Sequence, residues 1–267
     1  MRPRRDAPAL RWRLMSPGYD KLRETLIDSA IRLRVDEPLM KLRALASGTH
    51  RAAWEENQAL RRLLEGWLMP TSNCIDIGAY NGRVLAAIVR LAPEGRHIAY
   101  EPLPGKHRLL TRRFPSVDVR HAAVSDHSGE TTFTVVQDAP ALSGLRNRWQ
   151  GDGDHRTESL TVRVEALDTD LPPGYVPHFI KVDVEGAERQ VFEGGLETLR
   201  RHRPTVLFEH GKGGAEHYGT EPHDVYTVLT EGAGLKIYEV EGDRPLSPAQ
   251  FEDAYERNEQ WNFVARP

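Results

Sequence analysis

The sequence predicts an α/β fold with a doubly wound, mostly parallel sheet. From Asn73 onward, short apolar runs typical of strands alternate with amphipathic runs typical of helices. This alternation indicates βαβ units, whose strands are parallel. A glycine-containing turn follows the first strand, and a glutamate closes the second. These observations predict a ligand site at the carboxyl ends of the central strands.

Composition sets the broad class of protein. The chain has 267 residues, of which 39% are hydrophobic and 28% charged, enough for one sizeable domain and a smaller appendage. No run reaches the roughly 18 apolar residues that a membrane span needs, and residues 1–20 lack the apolar core of a secretory signal. The single cysteine, Cys74, excludes an internal disulfide framework and a cysteine-rich zinc site. We therefore expect cytoplasmic residence.

Residues 1–70 form a predicted helical extension, and residues 71–267 the main domain. Apolar residues recur at spacings near 3.6 in the extension and are interrupted at Ser47–Thr49, with a second helix expected over Ala52–Leu68. Residues 1–69 carry 14 Lys and Arg against 9 Asp and Glu. A solvated helical face explains this excess better than a patch for nucleic acid or an anionic surface, because the aromatic residues are not interleaved in a way that would strengthen such a patch. The extension could cap the site or form a homodimer contact, and the sequence leaves both open.

In the main domain, each short apolar run predicts a strand and each longer amphipathic run a helix. The predicted strands are CIDIG (74–78), HIAYEP (97–102), VDVRHAAV (117–124), TTFTVVQ (131–137), SLTVRVEAL (159–167), HFIKVDVEG (178–186), PTVLFEH (204–210), LKIYEV (235–240) and WNFVARP (261–267). The predicted helices are RVLAAIVRLA (83–92), GKHRLLTRRF (105–114), AERQVFEGGLETLRRH (187–202) and PHDVYTVLTEG (222–232). No helix separates the fourth and fifth strands, which indicates an inserted hairpin or extra edge strands.

The turn after the first strand predicts a ligand without a pyrophosphate. Gly78 and Gly82 stand in the pattern D-x-G-x-x-x-G, and glycines at such a turn let ligand atoms approach backbone N–H groups. The pattern is neither the G-x-G-x-x-G of dinucleotide sites nor a P-loop. Asp76 is placed to orient a cationic or amine-bearing group. S-adenosylmethionine, which has an amino acid end, a sulfonium and an adenosine, fits this description.

The second strand supports a nucleoside cofactor independently. Glu101 closes this strand 25 residues after Asp76, close to the roughly 20 residues expected for a carboxylate that binds ribose hydroxyls. Together, and at βαβ spacing, the two acids favour a nucleoside cofactor over a purely structural turn.

At this level of detail the sequence resembles the FkbM-type methyltransferases. The motifs that carry the resemblance are CIDIGAYNGRV (74–84), AYEP (99–102), AAVSDHSGETTF (122–133), VEALD (164–168), FIKVDVEGAERQVFEGG (179–195) and RPTVLFEH (203–210). The resemblance covers roughly Asn73 to Pro267, and I-K-x-D-x-E-G-A-E is its most specific mark. It implies S-adenosylmethionine-dependent O-methyl transfer and the class I methyltransferase fold, which is Rossmann-like with a seven-stranded, mostly parallel sheet. One departure is Tyr80, where the family often has Asn.

The resemblance also implies a set of cofactor contacts. Gly78 and Gly82 would flank the methionine end with Asp76 in support, Glu101 would take the ribose hydroxyls, and Pro102 would shape the adenine side. Lining the adenine would be Ala123, Val124 and either Ser125 or Asp126, and the remaining predicted contacts are Tyr80, Asn81 and Asp183.

The chemistry is expected at the ends of the predicted strands HFIKVDVEG (178–186) and PTVLFEH (204–210). Methyl transfer to oxygen needs an aligned acceptor and a group that removes the hydroxyl proton. Asp183 is the first candidate for contact with the reacting centre, and His210 is the natural general base, oriented by Asp183 or Glu209. Glu188, in the first turn of the next helix, is expected to cap it. Asp183, Glu209 and His210 could instead hold Mg²⁺, and the sequence leaves a metal open.

The acceptor is expected to be a hydroxyl of a sugar or a small secondary metabolite. Two glycine-rich loops, 142–158 and 211–219, are suited to contact it, with Trp149 and Tyr218 either stacking on the acceptor or anchoring the loops. Methylation of nucleic acid or protein is a rival reading, weakened because no N/D-P-P-Y/F stretch is present to hold a flipped base. A non-catalytic S-adenosylmethionine-binding module is a second rival.

Overall fold

The computed structural model describes residues 48–137, 143–146, 156–258 and 261–267. The helix predicted before Ser47 and the predicted loop residue Trp149 lie outside these ranges. The bounds of the elements follow.

The strands are β1 (Cys74–Ile77), β2 (His97–Tyr100), β3 (Asp118–Arg120), β4 (Ala123–Val124), β5 (Gly129–Val136), β6 (Thr157–Glu165), β7 (Phe179–Val182), β8 (Thr205–Glu209), β9 (Lys236–Glu239) and β10 (Asn262–Arg266). The helices are α1 (Gly48–Trp67), α2 (Arg83–Leu91), α3 (Pro104–Arg113), α4 (Leu167–Asp170), α5 (Glu188–Gly194), α6 (Leu196–His202), α7 (Pro222–Thr227) and α8 (Pro248–Arg257). A 3₁₀ turn spans Ala215–Tyr218, and a π-helical turn, Val228–Gly232, continues α7.

The central sheet has seven strands in the order β3-β2-β1-β7-β8-β10-β9. β10 runs antiparallel to both of its neighbours, and the other pairings are parallel. The strand order reverses between β1 and β7, which is where an open parallel sheet forms its ligand crevice. The predicted seven-stranded, mostly parallel sheet is confirmed.

Helices cover both faces of this sheet, so the side chains of its central strands are buried on both sides. All four residues of β1, β2 and β7 are buried. On one face Cys74 and Phe179 pack with Leu64 of α1 and Ile88 of α2. The predicted second N-terminal helix is therefore present as α1, which packs against the main domain.

A small second sheet lies beside the central one, in the order β4-β6-β5. β5 and β6 pair antiparallel from Gly129–Val164 to Val136–Thr157, so the predicted inserted hairpin is confirmed. The predicted single strand 117–124 is wrong, because after Arg120 the chain leaves the central sheet and β4 pairs with β6 instead.

One further predicted element needs correction, and one helix was missed. The single helix predicted over 187–202 is two helices, α5 and α6, which meet at Gly195. At this break a side chain on Gly194 would come within 2.0 Å of the Ser125 carbonyl oxygen, so the chain passes too close to the 125 segment for any larger residue. Helix α8 was not predicted, although a capping box between Ser247 and Gln250 marks its start.

Of the helices in the described part of the chain, none combines the length and apolar character that crossing a membrane requires.

Candidate cofactor and active site

A cavity opens at the carboxyl ends of β1, β2 and β7, at the point where the strand order reverses. Together with the open space at its mouth, the cavity measures about 700 Å³. It is lined by Ile77, Gly78, Tyr80, Tyr100, Glu101, Pro102, Leu103, Ala122, Ala123, Val124, Phe133, Ser143, Leu145, Asp183, Val184, Glu185 and Ala187. Seven of the predicted site residues are among them: Gly78, Tyr80, Glu101, Pro102, Ala123, Val124 and Asp183.

Glu101 joins the turn after β1 to the segment after β2. Its Oε2 accepts a hydrogen bond from the Tyr80 backbone N–H at 2.7 Å, and its Oε1 accepts one from the Leu103 backbone N–H at 2.8 Å. The side chain is 3% exposed. Burial raises the pKa of Glu101 to about 7, against the opposing effect of these two hydrogen bonds. The Glu101 carboxyl group therefore lies at the cavity wall in surroundings where its ionisation costs free energy.

The two predicted glycines, Gly78 and Gly82, have different structural roles. Gly78 has φ +74°, and a Cβ there would lie 1.9 Å from the Asp183 carbonyl oxygen, so only glycine lets the ends of β1 and β7 approach this closely. Gly82, with φ +69°, lies outside the cavity wall, and a Cβ there would meet Leu110 and Phe114 at 2.6 Å. Gly82 therefore serves the packing of the turn against α3.

Residues 80 and 81 are fixed by a lysine that the sequence did not single out. Lys106 donates to Asn81 Oδ1 at 2.7 Å, and its ammonium lies 4.4 Å from the centre of the Tyr80 ring. Tyr80 lines the cavity with φ +47°, whereas Asn81 lies behind it. The turn is thus held in a backbone conformation that is unfavourable for a bulky residue.

The predicted adenine end of the cavity is apolar. Ala123 and Val124 line it as predicted, together with Leu103, and the second sheet adds Phe133. Phe133 was missed because nothing in the sequence indicates that β5 reaches the cavity. The remaining residue of this group, Ser125, is buried outside the wall, where its hydroxyl donates to Asp126 at 3.1 Å.

Asp76 and Asp183 share a buried lysine, Lys181. Its Nζ lies 3.1 Å from Asp183 Oδ2 and 3.5 Å from Asp76 Oδ1, and it donates to the Gly78 carbonyl at 2.8 Å. Asp76 is 1% exposed and lies beneath the turn, outside the cavity wall. Burial raises the pKa of Asp76, against the effect of Lys181.

Glu209 lies beside these groups, partly buried and outside the cavity wall. Burial raises its pKa well above the usual value, and the neighbouring carboxylates of Asp183, Glu185 and Glu188 raise it further. Lys181 opposes the shift. The carboxyl edge of β7 and β8 therefore carries more acidic side chains than Lys181 can pair with.

His210 packs against α8 and does not contact Asp183 or Glu209. Its imidazole is 1% exposed and stacks on Tyr255 and Phe251 of α8, with ring centroids 5.0 and 5.7 Å away. Among the described residues neither ring nitrogen has a hydrogen-bond partner, so the predicted bond from His210 to Asp183 or Glu209 is not present. Successive residues of an extended chain point to opposite faces of the sheet, which separates His210 from Glu209. A catalytic role for His210 stays a prediction.

Glu188 binds the turn before α5, and neither of its backbone partners belongs to the helix, so it does not act as the predicted helix cap. Its Oε1 accepts the backbone N–H of Gly186 at 3.0 Å and that of Val184 at 3.4 Å, just before α5 begins. Its Oε2 lies 3.9 Å from His210 Nδ1. The carboxylate thereby fixes the turn that follows Asp183.

Within the described ranges, no three His, Cys, Asp or Glu side chains are grouped so that they could share a metal ion. The Mg²⁺ site left open over Asp183, Glu209 and His210 therefore does not fit this arrangement, and no step below uses a metal.

Comparisons with known proteins agree with this geometry. The family described as "Methyltransferase FkbM domain" matches residues 76–236, whereas no curated protein matches the sequence. The solved structures that are similar include a methyltransferase FkbM from Methylobacillus flagellatus KT, with 16% identity over 94% of this chain and 60% of that one and a TM-score of 0.49. Others are precorrin-6y C5,15-methyltransferase from Geobacter metallireducens GS-15 (15% identity, 79% and 87% covered, TM-score 0.41) and the plantazolicin methyltransferase BpumL in complex with SAH (10%, 92% and 96%, 0.42). This chain spans only 60% of the length of the first.

At these identities and TM-scores the solved structures carry no argument about activity, and the assignment rests on the family match. That match takes in the end of β1, the glycine turn, Glu101, and β7 with the Asp183 that follows it, and it covers more than half of the chain. The protein belongs to the FkbM methyltransferase family and has the class I methyltransferase fold.

Proposed function

We propose that the protein is an S-adenosylmethionine-dependent O-methyltransferase that acts on a hydroxyl of a sugar or a small secondary metabolite. The observation that carries the proposal is the cavity at the switch point, which has the Glu101 carboxylate in its wall, an apolar end and an acidic end.

The residues of the cavity fit the cofactor. Each Glu101 oxygen accepts one backbone N–H, and a carboxylate oxygen has a second lone pair that could accept a ribose hydroxyl. Leu103, Ala123 and Phe133 form an apolar surface for the adenine ring. When bound, S-adenosylmethionine supplies an electrophilic methyl group on its sulfonium.

The acidic end suits a hydroxylated acceptor. Asp183 lines the cavity, and its side chain is 36% exposed, so its carboxylate can reach an acceptor and take the hydroxyl proton as the oxygen gains the methyl group. Glu185 lines the same end with φ +59°, a costly conformation for a residue other than glycine and one that clusters at functional sites. Two carboxylates at this end favour an acceptor with several hydroxyl donors, such as a sugar.

The segment 143–146 also lines the cavity, through Ser143 and Leu145, and it contacts Tyr218. The Tyr218 hydroxyl accepts the Arg146 backbone N–H at 3.1 Å. A Cβ on Gly144 would lie 3.1 Å from that hydroxyl and 3.9 Å from Glu185 Cβ, so Tyr218 and Glu185 flank the 143–146 segment. This supports Tyr218 as an anchor of the acceptor loop.

We carry forward three further expectations as proposals. The protein resides in the cytoplasm, nucleic acid is not its substrate, and the N-terminal extension caps the site or joins two copies of the chain. A measurement of the protein's size in solution, with and without residues 1–47, would distinguish a cap from a dimer contact, because only loss of a dimer contact would convert a dimer to a monomer.

Calorimetry and turnover together test the function. We expect binding of S-adenosylmethionine and S-adenosylhomocysteine, and formation of S-adenosylhomocysteine with members of a panel of monosaccharides and their glycosides. Asp183→Asn should lower turnover by about 10²- to 10⁴-fold, the usual contribution of a general base, with little change in S-adenosylhomocysteine affinity. Asp243→Asn, at an exposed turn position, is the control. Absence of binding of both nucleosides, or methylation of amines alone, would refute the proposal.

A further inference from the structure

Lys181 is a buried cation that connects the two strand ends flanking the cavity. It lies on β7 and is 7% exposed. Its ammonium donates to the Gly78 carbonyl at 2.8 Å and lies 3.1 Å from Asp183 Oδ2 and 3.5 Å from Asp76 Oδ1. The Ile77 carbonyl is a more distant acceptor at 3.4 Å. The three protons of an ammonium are thus shared between β1, the glycine turn and Asp183.

The strand register explains this arrangement. Asp76 of β1 and Lys181 of β7 are direct partners in adjacent parallel strands, so their side chains lie on the same face of the sheet. Both are one residue from the end of their strand. From that position the long lysine stem reaches the turn beyond β1 and the residue that follows β7.

The lysine stays charged in this position despite its burial. Burial alone would lower the pKa of Lys181, but the carboxylates of Asp183 and Asp76 outweigh it and raise that pKa. Asp76 in turn depends on the ammonium, because among the described residues its carboxylate oxygens have no hydrogen-bond partner within ordinary bond length.

We propose that Lys181 is the positioning residue of the methyl-transfer site: it holds the Asp183 carboxylate at the edge of the cavity and fixes that carboxylate relative to the glycine turn. The inference rests on the proposed function, since it assigns Asp183 the proton-accepting role. Lys181 lies outside the cavity wall and contacts neither cofactor nor acceptor, so it acts through Asp183.

Two features of the contact favour positioning over simple charge balance. Oδ2 of Asp183 is committed to the ammonium, which restricts the rotation of a side chain that is otherwise at a partly exposed edge. The same ammonium binds the Gly78 carbonyl, so one group sets the distance between the proton acceptor and the turn. Small misplacements of a reacting group lower rates steeply.

The test compares two variants that differ only at Lys181. Lys181→Met alone would leave Asp76 buried and unpaired, which is strongly destabilising, so Asp76→Asn is the reference and Lys181→Met/Asp76→Asn the test. The Asp76–Lys181 ion pair is absent from both variants, only the reference keeps the ammonium beside Asp183, and methionine keeps most of the lysine stem. Lys236→Met, an exposed position at the start of β9, controls for the loss of a lysine elsewhere.

Three quantities are measured on both variants: the melting temperature, the Kd of S-adenosylhomocysteine, and S-adenosylhomocysteine formation with the best acceptor of the wild-type protein. We expect the melting temperatures of the two variants to agree within a few degrees and their Kd values for S-adenosylhomocysteine to agree within about threefold. Turnover should be at least tenfold lower in the double variant, through kcat and not KM, since a general base contributes at least about 10²-fold and mispositioning forfeits part of that. Equal turnover in the two variants would overturn the inference.

A crystal structure of each variant with S-adenosylhomocysteine gives an answer that does not depend on finding an acceptor. We expect the Asp183 carboxylate to keep its place in Asp76→Asn and to move or become disordered in the double variant. An unmoved Asp183 in the double variant would refute the positioning role. Failure of the wild-type protein to methylate any hydroxyl, with Asp183 displaced as expected, would refute the proposed function and leave the structural role of Lys181 intact.

Discussion

The backbone N–H of Tyr80 donates a 2.7 Å hydrogen bond to Oε2 of Glu101. This bond joins the glycine turn after β1 to the acid that closes β2, two features that are 21 residues apart in the chain. The Glu101 carboxylate and the turn that it binds are therefore one structural unit.

Replacement of Glu101 by glutamine should weaken cofactor binding. The change keeps the shape of the side chain but removes the charge and one acceptor, and hydrogen bonds to charged groups contribute about 1.5 to 3 kcal/mol. We expect the Kd of S-adenosylhomocysteine to rise by roughly 10- to 100-fold at pH 8, as measured by calorimetry. Glu130→Gln, on the exposed edge of β5, is the matched control, and an unchanged Kd in Glu101→Gln would remove Glu101 from the site.

Glu101 should also make the free protein less stable as the pH rises. Its pKa increases from 4.5 in the unfolded chain to about 7 in the fold. Between these values the folded state holds a proton that the unfolded state has lost, so unfolding becomes easier with rising pH. This loss of unfolding free energy is absent below about pH 4.5 and complete above about pH 7, where it amounts to about 3 kcal/mol.

Urea unfolding of the wild-type protein and Glu101→Gln at a series of pH values checks this sign. The wild-type protein should lose more unfolding free energy than the variant between pH 5 and 7, because the glutamine does not titrate. Parallel pH curves for the two proteins would contradict the raised pKa.

Gly78→Ala should be more destabilising than a substitution at another glycine of the same backbone conformation. Gly174 has φ +75° with nothing within 4 Å of a built Cβ, whereas Gly78 has φ +74° with the Asp183 carbonyl oxygen at 1.9 Å. Gly174→Ala should cost about 1 kcal/mol for the left-handed conformation alone. Gly78→Ala should cost at least 2 kcal/mol more and abolish S-adenosylhomocysteine binding, as measured by chemical unfolding and calorimetry. Equal losses at the two positions would show that β1 and β7 can separate freely.

Tyr100→Phe should lower stability without leaving a buried charge unpaired. The Tyr100 hydroxyl donates to Asp170 at 2.7 Å and accepts from Arg120 at 3.0 Å, and these two partners also pair with each other. Burial raises the pKa of Tyr100 far above its usual value, so the hydroxyl stays protonated. We expect a loss of about 1.5 to 3 kcal/mol.

Tyr226→Phe is the control for that change, because it removes one hydrogen bond to a neutral acceptor, the Leu246 carbonyl at 3.1 Å. Its loss should be about 1 kcal/mol. If both tyrosines gave the same loss, the charged partners of Tyr100 would contribute nothing extra.

Local patterns were sufficient for most of the architecture. Alternation of apolar strands and amphipathic helices predicted the parallel sheet, and the glycine turn after Asp76 and the spacing from Asp76 to Glu101 predicted a site at the ends of the first two strands. The helix break at Gly195 was missed, and so was the close approach of Gly194 to the Ser125 carbonyl, which lies about 70 positions earlier in the chain and which no local pattern reveals. Phe133 was missed for the same reason, since β5 reaches the cavity only through its pairing with β6.

The roles of the charged residues divide in the same way. The sequence by itself determined the α/β class, the family and the acids that close β2 and β7, because strand period and motif spacing are local properties of the chain. Only the tertiary structure decided that Asp76 faces Lys181 beneath the turn and that His210 packs against α8. Which groups share a buried charge depends on strand register and on the face to which each side chain points, and both are fixed only when distant strands pair.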